Sequence, residues 1–263
     1  MSRAIVIILL LLLSPTAPLA AQTTQPPDTP PRHQPGFLPR FDFSISLEHL
    51  FTEDPRFVWN ANMAGDLDLV DYGHGRITFA AGYETLLGSE FQPFDPLQGN
   101  YTLEGAVSGR VGAIEIAGVL HHVSRHLGDR PKRNPVDWNM LGGRVLTSAV
   151  TGSTEVDARL DLRRTVQKSF VDYLWEIDGN VRVAVRVAPQ VALIAGGGAK
   201  VLTTDDSRGR GTQHGVRGEG GVRFAGRSAA LELLMALERR VDPYQLEFST
   251  ATWLTAGFRL TSR

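Results

Sequence analysis

The sequence predicts an all-β protein, a transmembrane antiparallel up-and-down barrel of about twelve strands. Three observations predict it. From about Arg40 onward apolar and polar residues alternate with period 2, and convincing 3.6-residue patterns are scarce. Short and long connections follow one another in alternation, as hairpins on opposite sides of a bilayer require. The polar faces carry Arg with Glu or Asp in nearly every strand. The apolar faces have no charge in their middles, where Arg or Lys would cost about 2–4 kcal/mol against lipid.

The chain opens with a segment outside the fold. Arg3 forms a short charged start, Ala4 to Leu13 is an unbroken apolar run, Ser14-Pro15 breaks it, and Ala20-Ala21 supply small residues. This pattern predicts a secretory signal peptide over 1–21. Residues 22–38 are proline-rich and poor in apolar side chains, which predicts a flexible mature N-terminus. The barrel is expected over 39–263, because no later stretch is apolar for long enough to cross as a helix.

Twelve strands are then expected near 41–49, 58–70, 76–86, 101–110, 113–124, 137–149, 154–164, 179–187, 191–203, 215–225, 228–238 and 251–261. In the first, Phe41, Phe43, Ile45 and Leu47 alternate with Asp42, Ser44, Ser46 and Glu48. Ile77, Phe79, Ala81 and Tyr83 follow a Gly73-His74-Gly75 turn. Tyr101, Leu103, Gly105 and Val107 oppose Glu104, Ser108 and Arg110. The second half is cleaner: Val181, Val183, Val185 and Val187 oppose Arg182 and Arg186, and Leu231, Leu233, Met235 and Leu237 oppose Glu232 and Glu238. Such a chain belongs in a Gram-negative outer membrane, since only a closed sheet pairs every backbone group there without helices.

Composition removes several classes of function. A formal net charge of -1 gives no electrostatic footprint for nucleic acid. With no cysteine there is no disulfide frame, thiol chemistry or Cys-ligated metal. Gly196-Gly197-Gly198-Ala199-Lys200 lacks phosphate-loop spacing and lies in a strand. The chain ends Phe258-Arg259-Leu260-Thr261-Ser262-Arg263, without the terminal aromatic residue that barrels usually present to the barrel-assembly machinery.

Chemistry concentrates in His121-His122-Val123-Ser124-Arg125-His126-Leu127-Gly128-Asp129, which holds three of the seven histidines. Ile114, Ile116, Gly118 and Leu120 form the lipid-facing side of its strand, so His122 and Ser124 continue that side while Glu115 and His121 point into the lumen. Counted from a periplasmic N-terminus, this strand runs outward, and the pair sits at the level of outer-leaflet head groups. On the returning strand Arg144 is expected inside, which places Asn139 and Asp137 outside, beside His122 and Ser124. An imidazole can take a hydroxyl proton, and a third group must fix its tautomer. Asn139 is placed for that, with Asp137 the alternative third member. His126 and Asp129 are expected in a solvated loop, from which they could assist a metal or polarise an ester carbonyl.

His122-Val123-Ser124 followed by Trp138-Asn139 resembles the outer-membrane phospholipase A family, a twelve-stranded barrel with H-x-S on one strand and W-N on the next. The resemblance implies Ser124 as nucleophile, His122 as base and Asn139 as orienter, all on the outer wall. It keeps calcium open as a cofactor, and implies outer-membrane lipids and a homodimer as partners. Lipid A deacylase barrels are similar too, and use a carboxylate as third member. The Ser124-to-Asp129 run is also similar to an uncharacterised family of envelope proteins. Arg125-His126 stands where the phospholipases have Asn-Gly; loop amides near Arg125 to Gly128, with or without a bound divalent cation, are the expected oxyanion donors. The alternative is a non-enzymatic barrel: a structural protein, narrow channel or adhesion scaffold.

Overall fold

The computed structural model describes residues 35–128 and 134–262. The expected signal peptide and Asp129 lie outside the described residues. Twelve strands follow in order: β1 (Gly36–Phe51), β2 (Trp59–Asp71), β3 (Arg76–Gly88), β4 (Asp95–Val111), β5 (Ile114–Leu127), β6 (Val136–Thr151), β7 (Thr154–Ser169), β8 (Tyr173–Ala188), β9 (Val191–Thr204), β10 (Gln213–Ala225), β11 (Ala229–Val241) and β12 (Thr250–Ser262). Each pairs antiparallel with its neighbours in sequence, and β1 pairs with β12 from Ser44↔Thr261 to Phe51↔Leu254, closing the barrel. Closure leaves no free edge, so the wall pairs its backbone groups within the sheet except at its bulges.

All twelve expected strands are present, but many run further than expected toward the long-loop end. β4 begins at Asp95, β7 continues to Ser169 and β8 begins at Tyr173, so the expected long connection 165–178 shrinks to 170–172. Beyond the lipid both faces of a strand can be polar, and the alternation that marks a strand in sequence fades there. β1 begins at Gly36, slightly before the expected start of the barrel. At the opposite end the hairpins are tight: Gly112 (φ 60°) and Gly152 (φ 61°) adopt left-handed backbone that a side chain would oppose.

The two faces of the wall divide as the alternation requires. Ile114, Ile116 and Leu120 of β5 are exposed on the outside, whereas Glu115, Ala117, Val119 and His121 are buried inside. Two arginines interrupt the expected apolar band toward the long-loop end: Arg164 of β7 is exposed on the same outward alternation as Leu160 and Leu162, and Arg239 of β11 on that of Leu233, Met235 and Leu237, where it donates to the His214 carbonyl.

The lumen is filled by charge rather than open. Glu104 receives Arg144 at 2.5 Å and His121 Nδ1 at 2.9 Å, and Asp161 bonds Arg144 at 2.8 Å and Arg159 at 2.5 Å. Arg217 bridges Glu48 at 2.8 Å and Glu238 at 2.9 Å, and Arg259 bridges Glu219 at 2.9 Å and Glu232 at 3.1 Å. Each of these carboxylates has at least one cation, as ions withdrawn from water need. At the long-loop end the connection 242–249 folds inward. Asp242 accepts from Tyr173 Oη at 2.5 Å and from Arg210 at 2.7 Å, and its carbonyl accepts from Arg125 at 2.8 Å. Burial works against the charge on Arg210, but Asp172 and Asp242 outweigh it and hold its pKa above the ordinary arginine value. Apolar residues pack beneath, with Trp138, Met140, Tyr173 and Leu202 in one cluster and Leu50, Phe57, Leu97 and Trp253 in another.

Candidate active site on the outer wall

β5 and β6 set the site by register. His122 lies opposite Asn139 and Ser124 opposite Asp137, while the residue between, Val123, lies opposite Trp138. Trp138 is buried in the lumen, so its neighbours Asp137 and Asn139 face outward beside His122 and Ser124. His122 Nδ1 lies 2.8 Å from Asn139 Oδ1. An amide oxygen only accepts, so Nδ1 carries the proton and the lone pair of Nε2 is free.

Ser124 has a different partner from the expected one. Its Oγ lies 2.9 Å from His126 Nε2. β5 does not end at Ser124 but continues to Leu127, so His126 is a strand residue on the same outer face and not part of a solvated loop. The edge of its ring meets Tyr101 of β4 at 5.3 Å between centroids. Ser124 therefore stands between two histidines of one strand, each two residues away.

The strand extension also removes the expected oxyanion donors. The amide of Gly128 donates to Leu97 O at 3.0 Å, and Arg125 to Leu127 pair in register with Asn100 to Gln98 of β4. Arg125 itself turns inward, its guanidinium 5.4 Å from the Trp138 ring. Backbone amides committed to a ladder are not available to a substrate.

A residue with no motif to mark it in the sequence extends the site onto β7. Asn139 Nδ2 donates to Gln167 Oε1, and Gln167 Nε2 donates to Asp137 Oδ1 at 3.2 Å. Ser169 Oγ donates to the same carboxylate oxygen at 3.4 Å. Gln167 reaches the outer wall through a bulge: Asn139 pairs with Gln167 but Met140 pairs with Thr165, leaving Val166 over. Without that extra residue the alternation from Leu160 and Leu162 would turn Gln167 into the lumen, and only a polar side chain after an apolar one hints at the change. The donors and acceptors run in one direction, from His122 through Asn139 and Gln167 to the Asp137 carboxylate.

No group of three or more His, Asp or Glu able to hold a metal ion is found among the described residues. Asp137 is engaged by Gln167 and Ser169, and His126 by Ser124.

No protein-family model matches the sequence, and no curated protein matches it. Solved structures do. Outer membrane phospholipase A from Escherichia coli superposes with a TM-score of 0.52 at 10% identity, over 91% of this chain and 95% of that one. The chain has the fold of a closed outer-membrane β-barrel. A Salmonella typhi outer membrane phospholipase dimer with bound calcium gives 0.52 at 10% identity, over 86% of this chain and 91% of that one. An outer membrane channel from Pseudomonas putida gives 0.50 at 10% identity, over 91% of this chain and 99% of that one. At these identities the likeness is one of fold, shared by enzymes and channels alike. Closed barrel and apolar outer wall together are those of a protein of the bacterial outer membrane.

Proposed function

We propose that the protein hydrolyses an acyl ester of outer-leaflet lipid, a phospholipid or an acyl chain of lipid A, with Ser124 as nucleophile. The observation that carries this reading is the His122–Asn139 hydrogen bond on the lipid-facing wall, two residues from a serine. Polar groups at that depth meet head groups and the first acyl bonds, so the ester comes to the site by lateral diffusion. A solved active-site mutant of the E. coli phospholipase replaces an asparagine by alanine, which gives Asn139 a counterpart in kind.

In this mechanism Ser124 Oγ attacks the ester carbonyl and passes its proton to the free Nε2 of His122. Asn139 holds the imidazole, and Gln167 holds the Asn139 amide with its oxygen toward His122. In the Nε2–H tautomer His126, 2.9 Å from Ser124 Oγ, donates to it, which leaves the serine proton for His122 and sets a donor beside the forming oxyanion. His122 returns its proton to the leaving alkoxide, and water then cleaves the acyl-enzyme by the same route.

Ion pairs that bridge the lumen speak against general diffusion through the barrel, and Tyr173 bonds Asp242 of the inward-folded connection at its long-loop end. The dimeric neighbour extends the proposal to a homodimer, which cross-linking with and without lipid would detect. The function is tested by incubating refolded protein in detergent with a fluorogenic phospholipid and with lipid A, each with and without calcium. Turnover that disappears in Ser124→Ala, while that variant keeps its heat-modifiable migration, is the expected result. Absence of turnover with every substrate and condition would leave a non-enzymatic barrel.

A further inference from the structure

Consecutive arginines of β7 lie on opposite sides of the wall. Arg163 is buried in the lumen among carboxylates, with Glu176 at 2.5 Å and Asp161 at 3.6 Å. Arg164 is exposed on the outside and has no carboxylate partner among the described residues; its guanidinium lies over the Trp175 ring of β8 at 5.6 Å. Trp175 is itself exposed on the outer wall. Membrane-ward of Arg164 the wall is apolar, with exposed Leu141, Leu162 and Ile177. Toward the loops lie Asn139 and Gln167. A cation without a counter-charge on a lipid-facing wall is unfavourable unless the membrane supplies the anion.

Its height is that of the site. Arg164 pairs with Leu141, which pairs with Leu120, and on its other side with Trp175. Leu120 is seven residues from the outer end of β5 at Leu127, but Trp175 is only two from the outer end of β8 at Tyr173. Strand tilt thus lifts this row toward the outer rim as it passes from β5 to β8. Arg164 is two strands from His122, about 10 Å across the wall at the usual strand spacing, within the joint span of a long side chain and a glycerophosphate backbone.

We propose that Arg164, backed by Trp175, is a binding site for the phosphate of an outer-leaflet lipid. Guanidinium and phosphate match in a bidentate hydrogen-bonded pair, and the indole face holds the guanidinium planar against the wall. On the hydrolase reading, this contact selects phosphate-bearing lipids and presents their esters to Ser124. Binding itself does not depend on that reading.

The test uses the full chain in detergent and native mass spectrometry of its adducts with a short-chain ether-linked phosphatidylglycerol, which an esterase cannot cleave. Wild type is expected to retain one lipid, and Arg164→Gln to retain it about fivefold less, the worth of one surface arginine toward anionic lipid. Arg164→Lys should recover part of the loss, an ether lipid without phosphate should show no difference between variants, and inorganic phosphate at equal concentration should not compete. Equal adducts in wild type and Arg164→Gln would overturn the proposal, and so would displacement by inorganic phosphate, which would assign the site to free anion. Because no bond is cleaved, the outcome is independent of whether the barrel is an esterase.

Discussion

His122 and Asn139 face each other across β5 and β6 on the outside of the barrel, Nδ1 2.8 Å from Oδ1, with Ser124 two residues along the same face. The contact fixes one imidazole tautomer at a place where an apolar side chain would serve the wall better. On the proposed hydrolase reading, the barrel holds this face in register, the restraint a nucleophile and its base need.

His122 and His126 flank Ser124 but should not be equivalent. If His122 is the base, His122→Ala lowers ester turnover by about 10²–10⁴, the range of a lost general base. His126→Ala removes the hydrogen-bonding partner of Ser124 Oγ and should lower kcat by about tenfold, a barrier change of about 1.4 kcal/mol. Steady-state rates of the two variants on one phospholipid check the order, and a larger loss in His126→Ala would move the base to His126.

Gln167 holds the far side of the Asn139 amide. Gln167→Ala leaves Asn139 Nδ2 without this acceptor and lets the amide turn. The expected result is a fall in kcat of about tenfold with KM unchanged and the heat-modifiable fold kept. Gln167→Glu keeps the acceptor for Asn139 but loses the donor to Asp137 and sets a second carboxylate against it, so it should recover only part of the rate; a variant series with no effect would remove Gln167 from the site.

Glu104 is a hub of the lumen, bonded to Arg144 and His121 and 3.5 Å from Arg163. Glu104→Ala takes one carboxylate from buried Arg144 and Arg163, which keep Asp161 and Glu176, and should lower unfolding stability by about 3 kcal/mol. Glu247, whose pair with Arg56 at 2.6 Å is exposed, provides the contrast: Glu247→Ala should change stability by less than about 1 kcal/mol. Urea unfolding of both variants in the same detergent measures the difference.

The strands, their number and the facing of β5 and β6 were legible because lipid outside and ion pairs inside impose period 2 on the middle of every strand. The facing of His121 and His122 follows from Ile114 and Leu120, and that of Asn139 from Arg144 on the returning strand. Past the lipid that constraint ends, which is why β8 begins at Tyr173 and not near 179, and why His126 reads as loop although it is paired in β5. Gln167 was hidden for a different reason. The single extra residue Val166 inverts the facing of Gln167 and its successors, and a bulge has no signature in the alternation that it interrupts. Arg164 stood at the edge of the expected strand, where its side could not be read.

The most direct test of catalysis at Ser124 is covalent trapping. Wild-type protein in detergent is treated with a lipid-like sulfonyl fluoride or fluorophosphonate, digested, and the modified peptide is sequenced by mass spectrometry. A Ser124 nucleophile activated by His122 predicts a single adduct on Ser124 that fails to form in His122→Ala. No adduct, or one on another residue that persists when Ser124 is replaced by alanine, would contradict it.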